Sequence, residues 1–232
     1  MCDIIAVLIL TKGDLKMRKL VLTLIMLLFS AQAWAVVPNV PKDIAFEVLK
    51  KGNQRFSDDT AKHPHQDKLR RAKLIAGQKP FAVIVTCSDA RIVPEIIFDQ
   101  GLGDLFVIRN AGNDLDEHVL GSIDYAITHL GVNLVVVLGH ESCGAVASAM
   151  QGKTGNPEID SLIDSIQPAI DQCKKENKYR LEEITKIHAI QDAQEILSDK
   201  NLSEYFKKHD VKIIPAYYSI KTGEVEFLKV PE

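Results

Sequence analysis

Three regimes of apolar and polar positions follow one another along the chain. An apolar run at 20–29 stands behind Lys16, Arg18 and Lys19. Residues 43–56, after Pro41, then place Ile44, Ala45, Val48, Leu49 and Phe56 at near-helical spacing and predict an amphipathic N-terminal helical arm. From residue 81 the pattern changes to short β-branched runs at 81–86, 105–108, 134–138 and 211–216, which read as buried strands. Stretches of helical length and content at 93–98, 119–130, 144–150, 159–174 and 180–198 separate or flank them. Alternation of this kind predicts an α/β fold with a mostly parallel central sheet flanked by helices. Residues 218–228, with Lys221-Thr222-Gly223 in the middle, read as a turn into an antiparallel edge strand. No repeat, low-complexity tract or Pro/Ser linker divides 36–232, so one domain is expected there.

The first run is an address rather than part of that domain. Basic residues, a short apolar stretch and then Ala33-Trp34-Ala35 match a secretory signal peptide spanning 1–35 and cut after Ala35. The run is shorter than the roughly 20 residues a membrane-spanning helix needs. Met17, followed at once by Arg18-Lys19, is the better signal start and the expected true initiator. A periplasmic or secreted protein with no membrane contact after cleavage is therefore expected. Cleavage removes four basic and two acidic residues, which moves the formal net charge from −3 to −5, and it also removes Cys2 and the only Trp.

Composition narrows the function classes. With 46% apolar and 25% charged residues the chain is ordinary globular protein, and its net negative charge without a basic block argues against nucleic-acid binding. Cys87, Cys143 and Cys173 remain after cleavage. Three thiols are no dense disulfide framework, so their positions matter more than their number. His63 and His65 read as part of a solvated turn, because nothing nearby completes a ligand set.

Ligands of open parallel sheets bind beyond the carboxyl ends of the strands. The first run ends in Cys87-Ser88-Asp89-Ala90-Arg91, the second in Arg109-Asn110, and the third in Gly139-His140-Glu141-Ser142-Cys143-Gly144. Two thiols and an imidazole thus reach one sheet edge. Cys87, His140 and Cys143 suit Zn²⁺, and three protein ligands leave a fourth tetrahedral position open for catalysis. Cys143 opens a predicted helix, whose dipole favours the thiolate. If the chain stays extended after Cys87, Asp89 and Arg91 share a face and can pair, leaving an ionised carboxylate beside the metal.

With these residues in view the chain resembles a β-class carbonic anhydrase of the exported bacterial type. The resemblance rests on Cys87-Ser88-Asp89-Ala90-Arg91, on Phe106-Val107-Ile108-Arg109-Asn110 and on His140-Glu141-Ser142-Cys143-Gly144, three motifs in the family's order. It implies a single catalytic domain at 36–232 that interconverts carbon dioxide and bicarbonate by attack of zinc-bound hydroxide. One Zn²⁺ per chain would sit on Cys87, His140 and Cys143, with Asp89 and Arg91 as the catalytic dyad. Gln78, Phe106, Tyr125 and Gly144 match the family's substrate pocket. Because family pockets lie at a dimer interface, a homodimer or tetramer is implied, with Phe106 and Tyr125 facing the partner's zinc. An alternative resting form of the family has the carboxylate equivalent to Asp89 on the metal and Arg91 released.

Two departures qualify the match: Ala90 stands where many members have Ser, and Ile84 lies near a Trp that some members use in a regulatory bicarbonate site. Glu141 is a weak candidate for carrying the proton away. Two rival readings share the same residues. One is hydrolysis of carbonyl sulfide or carbon disulfide; the other is a non-catalytic scaffold with a Cys87–Cys143 disulfide. Mass spectrometry of the exported protein should find Val36 at its N-terminus, and retention of residues 17–35 would refute the cleavage assignment.

Overall fold

The computed structural model describes residues 40–231, so the signal segment, its cleavage point and the expected start at Met17 lie outside the described residues. Helix α1 (Lys42–Ser57) leads into α2 (Lys68–Leu74) and then into a five-stranded sheet. Its strands are β1 (Ala82–Cys87), β2 (Leu105–Asn110), β3 (Leu134–His140), β4 (Lys212–Tyr218) and β5 (Val225–Phe227). Their order is β2-β1-β3-β4-β5, parallel throughout except for the antiparallel β4–β5 pair. The connecting helices are α3 (Pro94–Ile97), α4 (Glu117–Thr128), α5 (Gly144–Gln151), α6 (Pro157–Lys175), α7 (Leu181–Ser198) and α8 (Ser203–His209). No helix among the described residues is long and apolar enough to cross a membrane.

Both faces of the sheet are covered, which is why its central strands are continuously apolar. Val83, Val85, Val135, Val137 and Ile213 point to one side and pack with α4, α7 and α8. Ala82, Ile84, Leu134, Val136, Leu138 and Ile214 point to the other and pack with α1 and the segment containing Ile92, Ile97 and Phe98. A third cluster joins Cys87 and Cys143 to apolar side chains of α5, α6 and the start of α7.

The elements that periodicity did not announce have local causes. Helix α2 buries no residue; Asp67 caps it by accepting from the Arg70 amide at 2.7 Å, and the Arg70 side chain donates to the Leu102 carbonyl at 2.7 Å and to Asp104 at 2.8 Å. Helix α8 buries only Phe206. The last strand is three residues long because Ser219–Gly223 forms the turn before it, closed by the Gly223 amide donating to the Ser219 carbonyl at 2.9 Å. The loop with His63 and His65 is tied down: buried Asp99 accepts from the His63 amide at 2.8 Å, and His65 Nδ1 lies 2.7 Å from Asp104 Oδ2.

Gly52 sits mid-helix in α1, where glycine is normally unfavourable. A Cβ there would lie 1.8 Å from the Phe98 carbonyl oxygen, so its absence lets α1 seat on the backbone after α3. Gly52→Ala should destabilise the fold by about 2–3 kcal/mol through overpacking. Denaturant titration checks this, and an unchanged midpoint would contradict the contact.

Candidate metal centre

The chain order β1, β2, β3 becomes the spatial order β2-β1-β3, so the chain reverses its winding between β1 and β3. A crevice opens at such a switch point, beyond the carboxyl ends of the two strands. Cys87 is the last residue of β1 and pairs in register with Asn110 of β2; His140 is the last residue of β3. Thr86 links the two inner strands just below, its hydroxyl donating to the Leu138 carbonyl at 2.7 Å. After His140, Ser142 turns the chain in the left-handed region (φ +56°), and Cys143 becomes the N-cap of α5.

The ligand atoms of Cys87, His140 and Cys143 all lie within 4.8 Å of one another, and the three residues are buried. Tetrahedral coordination at ordinary zinc–sulfur and zinc–nitrogen distances needs about 3.5–4 Å between such atoms. His140 Nδ1 is 2.9 Å from the Glu141 carbonyl oxygen. That oxygen can only accept, so Nδ1 carries the proton and Nε2 keeps its lone pair. Nε2 is buried with no protein partner. An orphaned imidazole nitrogen beside two thiols fits a soft, tetrahedral cation, with the backbone carbonyl fixing the tautomer.

The thiols are free and unequal. A hydrogen bond from Cys143 holds Cys87 well below the ordinary thiol range, against its burial, with the Gly112 amide adding to the effect. Cys143 is pushed up, first by its hydrogen bond to Cys87 and then by burial, against the pull of the Val146 and Ala145 amides. One sulfur is therefore anionic first, and two anionic sulfurs this close call for a cation between them.

Asp89 and Arg91 come together around a tight turn rather than along an extended strand. The Arg91 amide donates to Asp89 Oδ1 at 2.9 Å, and its guanidinium reaches both carboxylate oxygens, at 2.9 and 2.7 Å. These bonds hold the Asp89 carboxyl far below the usual carboxylate range. Arg91 also donates to the Ser142 carbonyl at 3.2 Å, tying this turn to the loop before Cys143. The paired form of the dyad is the one present.

Arg109 has a task that the motif alone did not show. Its guanidinium donates to the Cys87 carbonyl at 3.1 Å and the Asp89 carbonyl at 2.7 Å, clamping the backbone between ligand and carboxylate. A charged residue at the end of an otherwise apolar strand was the available signal. Glu141 is turned to another use: it accepts from the Lys221 amide at 2.9 Å and the Ser219 hydroxyl at 3.1 Å, and these bonds lower its pKa. It braces the β4–β5 turn and stays ionised there, which disfavours a proton-carrying role.

Of the remaining expected residues, Gly144 begins α5, and a Cβ on it would meet nothing within 4 Å, so the space beside Cys143 is open. Phe106 and Tyr125 meet each other on the β2–α4 side, with ring centroids 6.3 Å apart, and Tyr125 is 45% exposed. Gln78 lies in the exposed loop after α2, and no hydrogen bond connects it to the cluster.

Comparison with known proteins decides the family. Residues 82–225 match the family model described as carbonic anhydrase. Carbonic anhydrase 2 of Mycobacterium tuberculosis is 38% identical over 192 residues, covering 81% of this chain and 93% of that protein. The chain belongs to the carbonic anhydrase family. The carbonic anhydrase of Mycolicibacterium smegmatis is 36% identical over 195 residues, with 82% and 95% of the two chains covered. In fold, this carbonic anhydrase is similar to tetrameric β-carbonic anhydrases of Sordaria macrospora, with a TM-score of 0.65 at 23% identity over 79% of this chain and 96% of that one.

Proposed function

We propose that this carbonic anhydrase reversibly hydrates carbon dioxide to bicarbonate and a proton, using one Zn²⁺ per chain on Cys87, His140 and Cys143. The observation that carries the reading is the buried, unpartnered His140 Nε2 among two free thiols, with the Asp89–Arg91 pair on the adjoining turn. Zinc on three such ligands supplies a water acidified toward neutral pH as nucleophile. The other tasks fall to the chain. Asp89, kept ionised by Arg91, is an acceptor only, so it takes a hydrogen bond from the nucleophile's O–H and aims the oxygen lone pair at the substrate carbon. The open space at Gly144 accommodates a linear triatomic molecule, and the Gln78 amide donates to one of its oxygens. Export through the 1–35 segment would set this chemistry in the periplasm or outside the cell.

The pocket is completed by a second copy in this reading. β2 is an edge strand with partly buried Phe106, Val107 and Ile108, and α4 beside it presents exposed Tyr125. An open apolar edge is a pairing surface. A homodimer across β2 and α4 would bring Phe106 and Tyr125 to the partner's zinc, and two such dimers would make a tetramer.

Protein beginning at Val36 should carry about one zinc per chain and hydrate carbon dioxide in a stopped-flow assay. Asp89→Asn should retain the metal and lose about a hundredfold or more in turnover, the scale on which single orienting or electrostatic groups act. Full turnover in that variant would remove Asp89 from the reaction, and absence of zinc from the wild type would remove the metal reading. Gly121, exposed on α4 with room for a side chain, offers a test of the seam. Gly121→Arg should sediment as a monomer with zinc bound and turnover lost, whereas a fully active monomer would refute the shared pocket.

A further inference from the structure

Behind the ligands lies a buried polar group that the proposed reaction leaves unused. His188 and Asp192 stand one turn apart on α7, with side chains only 2% and 7% exposed. Neither is a metal ligand. His188 Nε2 lies 3.0 Å from the Gly112 carbonyl oxygen, Asp192 Oδ2 accepts from Asn113 Nδ2 at 2.8 Å, and His188 Nδ1 is 3.4 Å from Asp192 Oδ1. Because the carbonyl can only accept, Nε2 donates to it. Nδ1 makes no hydrogen bond, so Asp192 acts on the same turn through Asn113. Burial lowers His188 and raises Asp192 toward their uncharged forms.

Both residues hold one short turn, the 3₁₀ segment Ala111–Asn113 that follows β2. Its Gly112 (φ +73°) and Asn113 (φ +53°) are successive left-handed residues, a conformation that is unfavourable for Asn113 unless the surroundings hold it. There is no slack on the other side, where a Cβ on Gly112 would lie 2.9 Å from the Ala145 Cβ. The turn so held directs the Gly112 amide at Cys87 Sγ, 3.3 Å away. Well-packed apolar side chains would fill the space under the turn at lower desolvation cost than a buried histidine and carboxyl. What an apolar pair could not do is grip the Gly112 carbonyl and the Asn113 amide.

We propose that His188, supported by Asp192, is a positioning residue for the metal centre: it locks the Ala111–Asn113 turn so that the Gly112 amide hydrogen-bonds the Cys87 sulfur. That bond orients the ligand and withdraws charge from its sulfur, the usual work of groups just outside a coordination sphere. The inference rests on the zinc reading above.

Two readouts test it: zinc affinity by competition with a chromophoric chelator, and the cobalt–thiolate charge-transfer absorption of Co²⁺-substituted protein. His188→Ala should weaken zinc binding about 10- to 100-fold and shift the cobalt band. His188→Gln, whose amide can still donate to the Gly112 carbonyl, should recover most of both. Asp192→Leu removes the acceptor of Asn113 Nδ2, so it should weaken binding and move the band with a modest fall in thermal midpoint; it decides the matter if His188→Ala does not fold. Wild-type affinity and an unmoved band in Asp192→Leu would overturn this inference alone. A wild-type chain that binds neither metal would overturn the zinc reading and this inference with it.

Discussion

β1 is hydrogen-bonded along both sides, to β2 with Cys87 opposite Asn110 and to β3 with Thr86 opposite Leu138, and all three strands run the same way. Their carboxyl ends must therefore finish at one edge, and the reversal of winding between β1 and β3 leaves that edge open exactly where a ligand can enter. Cys87 and His140 occupy the last positions of the two strands that flank the opening. A slip of one residue in either pairing would turn a ligand to the opposite face of the sheet. The buried Val, Ile and Leu residues of β1 and β3, packed on both faces, are what oppose such a slip.

Charge is arranged around that edge in a graded way. At the centre two thiols and an imidazole are buried, with Cys87 the readier of the two thiols to lose its proton. Outside them Arg91 neutralises Asp89, and Arg109 meets main-chain oxygens. The carboxylate consequently stays ionised as an oriented acceptor, its protonation being opposed by two guanidinium bonds and an amide bond. The proton that Asp89 does not take must leave by another route.

Much of this was legible before any coordinates. The four parallel strands are β-branched runs bounded by turns, and the ligands fall at the ends of those runs, so strand placement and metal-site placement were one inference. The chemistry of Cys87, His140 and Cys143 follows from residue type and from position at the strand ends. What could not be read depends on tertiary contact. Helix α2 has no apolar face and is held by Asp67 and by the reach of Arg70 to Leu102 and Asp104. Asp89 and Arg91 meet through a turn closed by the Arg91 amide, which two-residue spacing cannot distinguish from an extended segment. His188 looks like any polar residue of a helix until α7 packs against the turn at Gly112, 76 positions away.

A common habit runs through the side chains around the centre: they bind carbonyl oxygens. Thr86 holds the carbonyl of Leu138, Arg91 that of Ser142, Arg109 those of Cys87 and Asp89, His140 that of Glu141 and His188 that of Gly112. A carbonyl is present whatever residue carries it. Ser142 thus takes part through its main chain, its carbonyl accepting from Arg91 while its backbone makes the left-handed turn before Cys143. A substitution that leaves the main chain in place keeps these bonds, whereas loss of the Arg91, Arg109 or His188 side chain removes its grip on the backbone around the centre.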